Sequence, residues 1–176
     1  MKLKDLFEST GKSVADLGIE YEGGNLDCNN DQLTSLEGAP SRVGGYFTCV
    51  NNRLTSLKGA PSYVHRGFSC ANNQLISLEG APSRVGSDFY CSNNQLTSLK
   101  DVHRYIAEIQ GNFFAFDNPI KSHVLGLLLI KGITEIHIDN MQVEEILNRH
   151  LNKGRAGMLQ AQEELIESGL EEFAQL

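Results

Sequence analysis

Apolar residues recur along the chain in a fixed phrase: an apolar residue, one of any kind, Cys, two of any kind, Asn, one more, then Leu. Phe47, Cys49, Asn52 and Leu54 fill it, then Phe68, Cys70, Asn73 and Leu75, then Phe89, Cys91, Asn94 and Leu96. The period is 21, and Leu36, Leu57, Leu78 and Leu99 keep the same register. Alternation in YFTCV, GFSCA and DFYCS predicts short half-buried strands. Successive coils then stack their strands in parallel at about 4.8 Å, so residues one period apart become neighbours in space.

An earlier copy has Leu26, Cys28 and Leu33, with Asp31 where the Asn belongs. A fifth appears when three residues are inserted between Leu99 and Ile109, which brings Phe113, Ala115, Asn118 and Ile120 into the same slots. ITEIHI reads as a sixth strand with Ile133, Ile136 and Ile138 inward. The buried Asn is expected to satisfy backbone groups where the chain leaves the strand, each rung adding to an Asn ladder. In the return path, LTSLKGAPSYV, Gly and Pro exclude a long helix and leave an extended or single-turn connection.

A solenoid exposes apolar ends and requires caps. Leu3, Leu6, Phe7, Val14 and Leu17 predict a helical cap at the start. KSHVLGLLLIKG reads as a buried helix. NMQVEEILNRHLNKG reads as another, with Val143, Ile146, Leu147 and Leu151 on one face and Gly154 as its stop. A last helix over 155–173 is expected to place Leu159, Ile166, Leu170 and Phe173 on one side and an acidic series elsewhere.

The repeat resembles the leucine-rich repeat family, whose units carry L-x-x-L-x-L-x-x-N-x-L. Its wording at 72–86, NNQLISLEGAPSRVG, is similar to repeats of proteins encoded by tailed bacteriophages and prophages, and more distantly to repeat domains of bacterial secreted effectors. The expected fold is an α/β solenoid: a short leucine-rich repeat array of about five to six parallel strands with helical caps at both ends. It divides into an N-terminal helical cap (1–21), the repeats (22–120), and a last strand with a helical C-terminal cap (121–176). The family resemblance implies a recognition scaffold. The effector likeness would imply an attached ubiquitin-ligase domain, which is not expected here, because the tail after the repeats is short and lacks Cys.

Charge narrows the partners. A net charge of −7 argues against nucleic acid, since gripping the phosphate backbone depends on an excess of Lys and Arg. Neither the first residues nor the run Val124 to Ile130 is apolar for long enough to suggest a signal peptide or a membrane span, so a cytoplasmic location is expected. The four Cys fall in one column at 28, 49, 70 and 91; a column does not surround an ion, and reduced structural thiols are expected. Glu37, Lys58, Glu79 and Lys100 form a second column whose alternating signs favour the register. No nucleophile, phosphate-loop or metalloprotease motif is present, so no enzyme activity, metal or cofactor is expected.

The open face of the sheet carries the sharper signal. One outward column runs Asp27, Thr48, Ser69, Tyr90, Phe114, His137, and its neighbour runs Asn29, Val50, Ala71, Ser92, Phe116, Asp139. Aromatics facing solvent on a rigid sheet mark interfaces. Tyr90, Phe114, Phe116 and His137, bordered by Asp88 and Asp117, are therefore the candidate partner-binding site on what the resemblance makes the concave face. The alternative is that the C-terminal helices fold over them. The expected partner is a protein, and the phage resemblance implies a bacterial host protein, bound and inhibited through that face or the C-terminal helices. Self-association in a phage particle and an acidic mimic of DNA are the alternatives.

Overall fold

A computed structural model of the protein describes residues 20–21 and 24–176. Residues 1–19 of the expected N-terminal cap lie outside the described residues, while Glu20 and Tyr21, assigned to that cap, form a strand instead. The repeats wind into a parallel β-solenoid. Each coil but the last, which gives one, contributes two strands of two residues, and the strands collect into two parallel sheets. The five-stranded sheet runs β1 (Glu20–Tyr21), β3 (Arg42–Val43), β5 (Tyr63–Val64), β7 (Arg84–Val85), β9 (Glu108–Ile109). The six-stranded sheet runs β2 (Leu26–Asp27), β4 (Phe47–Thr48), β6 (Phe68–Ser69), β8 (Phe89–Tyr90), β10 (Phe113–Phe114), β11 (Ile136–His137).

Register follows the sequence period. Phe47 pairs with Phe68, Phe68 with Phe89 and Phe89 with Phe113, so four buried phenyl rings stack through the core at centroid spacings of 5.6, 5.1 and 5.6 Å. The three-residue insertion is taken up in a short helix, α1 (Val102–Tyr105), which lets the strands on either side keep pairing. The return path holds the second sheet, each rung of which buries one residue: Val43, Val64, Val85 or Ile109.

Chain direction is controlled at two turns per coil. After each of the first five strands of the six-stranded sheet, Asn30, Asn51, Asn72, Asn93 or Asp117 adopts a left-handed backbone with φ between 53° and 62°, a region that Asn and Asp tolerate best among residues with a side chain. In the GAP segment Gly59 has φ 91°, and a Cβ on it would lie 2.9 Å from the Glu37 nitrogen. Gly is required there by conformation and by space.

Between these turns sits the Asn ladder. The amide nitrogen of Asn73 donates to the carbonyls of Cys49, Cys70 and Ala71, and its Oδ1 accepts from the Leu54 nitrogen at 3.0 Å. Asn52, Asn94 and Asn118 repeat this arrangement. Asp31 breaks it at the first rung, and burial together with Asp27 raises its pKa. Its ionised form is disfavoured in the folded state, a penalty that is absent below the unfolded pKa, grows as pH rises toward the folded pKa and is full above it. Asp31→Asn is therefore expected to stabilise the protein by about 1 kcal/mol at pH 7. Urea unfolding at pH 7 and pH 3 checks this; no gain at pH 7, or an equal gain at both, would count against it.

The four thiols are free and buried. Cys49, Cys70 and Cys91 point their sulfurs at the carbonyls of Ser69, Tyr90 and Phe114 in the next strand, at 3.4 to 3.5 Å. Burial pushes the Cys28 thiol up to about 12 and raises the other three as well.

The C-terminal cap departs from the expected elements. KSHVLGLLLIKG forms a buried 3-10 helix (Val124–Leu129), with Gly126 so close to α1 that a Cβ would meet His103 at 3.0 Å. Next comes α2 (Met141–His150), capped by the Asn140 side chain accepting from the Val143 nitrogen. It ends before Gly154, which opens the next helix, α3 (Gly154–Glu167). The buried face of α3 is Gly157, Met158, Ala161 and Leu165, whereas Leu159 and Ile166 are 51% and 49% exposed. Close packing explains this correction: a Cβ at Gly157 would lie 2.6 Å from the His150 carbonyl, so small residues set the contact face. Leu170 and Phe173 reach the core only after a turn at Gly169. Glu164 of α3 binds both His150 and Arg149 of α2, and those bonds hold its carboxyl below the usual range.

At the edge of the six-stranded sheet, α2 stands in for a further strand. The Asn148 side chain accepts from the Ile136 nitrogen at 2.7 Å and donates to the Ile136 oxygen at 2.8 Å, while Glu144 accepts from the Ile138 nitrogen.

Candidate functional site

Parallel pairing sets Tyr90 beside Phe114 and Phe114 beside His137 on the outer face of the six-stranded sheet. The rung spacing of about 4.8 Å exceeds ring-stacking distance only slightly. The three rings accordingly lie face to face, with centroids 4.7 Å apart in both pairs and interplanar angles of 2° and 13°. Phe116, two residues along β10's direction, leans on Phe114 and His137 at 6.4 and 5.9 Å. Tyr90 is 36% and Phe116 38% exposed; Phe114 and His137, inside the cluster, are half-buried. The C-terminal helices thus leave the aromatic patch open, and α2 reaches only its end, where Glu144 lies 3.5 Å from His137 Nδ1.

The flanking acids differ in role. Asp88 is fixed: one oxygen accepts from the Asn112 nitrogen at 2.8 Å and the other from the Tyr90 hydroxyl at 3.0 Å. Partial burial, with that bond to Asp88, raises the Tyr90 phenol and keeps it a donor. Asp117 stands in a left-handed turn next to Phe116, exposed and outside the ring stack. Glu135 lies 3.2 Å from His137 Nε2, so that imidazole sits between two carboxylates, Glu135 and Glu144.

Two parts of this surface escape a reading of two outward columns alone. Tyr46, 40% exposed, lies over Gly67, where a Cβ would come within 3.0 Å of its ring. A third column, Asn25, Tyr46, Gly67, Asp88, Asn112, Glu135, carries the signal for it. The other is the sign of the face. Across the outward columns that begin at Asn25, Asp27, Asn29 and Asn30, the charged residues are Asp27, Asp88, Asp117, Glu135 and Asp139, with no Lys or Arg. At the sheet corner the Arg66 guanidinium lies 5.8 Å over the Tyr46 ring.

Among the described residues no group of three or more His, Cys, Asp or Glu stands where it could hold a metal ion, and no helix is long and apolar enough to cross a membrane. Compared with known proteins, the chain matches no family model, no curated protein and no solved structure. The leucine-rich repeat likeness therefore rests on the repeat motif, while the architecture in hand is the broader class of parallel β-solenoid.

Proposed function

We propose that the protein is a non-catalytic binding platform that docks a basic segment of another protein on the acidic, aromatic face of its six-stranded sheet. What carries the reading is the open stack of Tyr90, Phe114 and His137, with Phe116 beside it, on a face whose fixed charges are all negative. Guanidinium and ammonium groups gain from aromatic faces and from carboxylates at once, and a preformed rigid sheet loses little entropy on binding. The phage-like wording of the repeat makes a bacterial host protein, met in the cytoplasm and blocked by occlusion, the favoured class of partner.

The test is an array of basic, neutral and acidic peptides probed with the wild type and with a Tyr90→Ala, Phe114→Ala, Phe116→Ala variant shown to be folded. Basic peptides should bind selectively, weaken with added salt, and lose at least about a hundredfold in affinity to the triple variant, as buried aromatic hot spots do. Equal binding by both proteins, or no preference for basic peptides, sinks the reading. A second reading rests on Leu159 and Ile166, which stand seven residues apart on the exposed face of α3 and suit self-association in an assembly. Sedimentation of a Leu159→Glu, Ile166→Glu variant against the wild type separates it from the first.

A further inference from the structure

The stack of Tyr90, Phe114 and His137 has two ends, and they differ. At the far end α2 packs against β11, and Glu135 and Glu144 stand 3.2 and 3.5 Å from the two ring nitrogens of His137. The near end is open. Among the described residues Phe114 is the one aromatic ring that Tyr90 meets, and the two planes are parallel to within 2°. The opposite face of the Tyr90 ring is therefore turned to the preceding rung, where its register partner is Ser69. A serine side chain ends one atom past its Cβ, so it leaves unfilled the position of a fourth ring, one rung spacing of about 4.8 Å from Tyr90. Thr48, one rung further, makes the other wall, and its hydroxyl is turned to Asp27 at 3.3 Å. Tyr46 bounds the flank by lying over Gly67, in the column beside Ser69. The slot thus has the depth of one flat group with a contact on each side.

Its chemistry selects a cation. Tyr90 donates its phenolic hydrogen to Asp88, which moves negative charge onto the ring and strengthens the pull of its free face on a positive group. In the first four rungs of the columns that begin at Asn25, Asp27 and Asn29, the charged residues are Asp27 and Asp88. Both accept hydrogen bonds from backbone amides and hydroxyls, and neither forms an ion pair among the described residues. Set against Arg66 at the corner, these two carboxylates still leave one negative charge in excess. Arg66 over Tyr46 also shows the mode, since a guanidinium of the chain itself already rests on a ring of this face. Shape then decides between the two basic side chains. A guanidinium is flat and weakly hydrated and stacks on a ring, whereas an ammonium is a compact, strongly hydrated charge that fills a flat slot poorly.

We infer that this slot is where the docked basic segment places an arginine, its guanidinium stacked on the free face of Tyr90 over Ser69. The inference rests on the docking reading above and narrows it, from any basic segment to one that carries Arg at a fixed point. The test is a titration of the isotopically labelled full chain with a lysine-rich peptide that carries either Arg or Lys at one central position. The Arg peptide is expected to bind at least about tenfold more tightly than its Lys counterpart. It should also shift the Ser69 amide and the Tyr90 ring protons, a readout that needs no variant. Ser69→Phe supplies the fourth ring and should abolish the preference for Arg while the Lys peptide still binds. Ser69→Ala leaves the slot open and should keep the preference. Equal affinity for the two peptides, a preference that survives Ser69→Phe, or shifts that bypass Ser69 overturns the slot and leaves the docking face standing. Failure of both peptides to bind the wild type removes the docking face, and the slot with it.

Discussion

Asn73→Ala is expected to lower the free energy of unfolding by about 4 kcal/mol, from the sum of an orphaned buried donor and three lost amide bonds. The loss is uneven among the partners. The Leu54 nitrogen has Asn73 Oδ1 as its acceptor and is left buried without one. The carbonyls of Cys49 and Cys70 fare better, because Asn52 also donates to the first and Asn94 to the second. The carbonyls of Cys49, Cys70 and Cys91 are thus each shared by two amides from adjacent rungs. A double Asn52→Ala, Asn73→Ala variant strips both donors from Cys49 and should cost more than the two single changes added together. Urea unfolding of the singles and the double measures both effects. A single-variant loss under about 1.5 kcal/mol, or simple additivity, would show that the amides contribute as isolated bonds rather than as a connected ladder.

Raising the pH from 8 to 10 is expected to remove on the order of 5 kcal/mol through the four buried thiols alone, about 1.4 kcal/mol for each at one unit above its unfolded value. The cause is that burial raises all four thiol pKa values, Cys28 to about 12, above the 9.0 ordinary for a thiol. Above that value the unfolded chain gives up thiol protons that the folded chain retains. Stability is therefore intact below about pH 9 and falls as pH rises toward the folded values. A loss of this size rivals the whole stability of a typical domain. Lys and Tyr also titrate in this range, so the discriminating measurement is the slope of unfolding free energy against pH in Cys49→Ala and Cys70→Ala. Each should flatten the slope by about a quarter, whatever its cost at neutral pH. An unchanged slope would mean that the thiols ionise without unfolding.

Much of the solenoid is legible in the sequence because its core uses one residue type per column. The Phe47, Phe68, Phe89 and Phe113 positions announce the six-stranded sheet, and the three-residue gap before Ile109 announces the segment that becomes α1. The second sheet is hidden for a physical reason. Its strands bury a single residue each, such as Val43 or Val64, and one inward position cannot display alternation. The 3-10 helix is hidden because Val124–Leu129 is apolar nearly throughout, which gives no period to read. On α3 the sequence advertises its large residues, Leu159 and Ile166, while the contact is made by the small ones that permit close approach. The aromatic columns were readable residue by residue. Their exposure was not, since it depends on where α2 and α3 come to rest.

Asn148 joins the solenoid to its cap by imitating a strand: one primary amide supplies the donor and the acceptor that the Ile136 backbone would otherwise offer to a next rung. The Asn148 amide reads only the main chain of the coil beneath it, whatever side chain that rung carries. The number of coils is therefore a free variable of this architecture, open to gain or loss in whole periods ahead of an unchanged terminator. Neither event would leave an unpaired sheet edge at that end to recruit another chain.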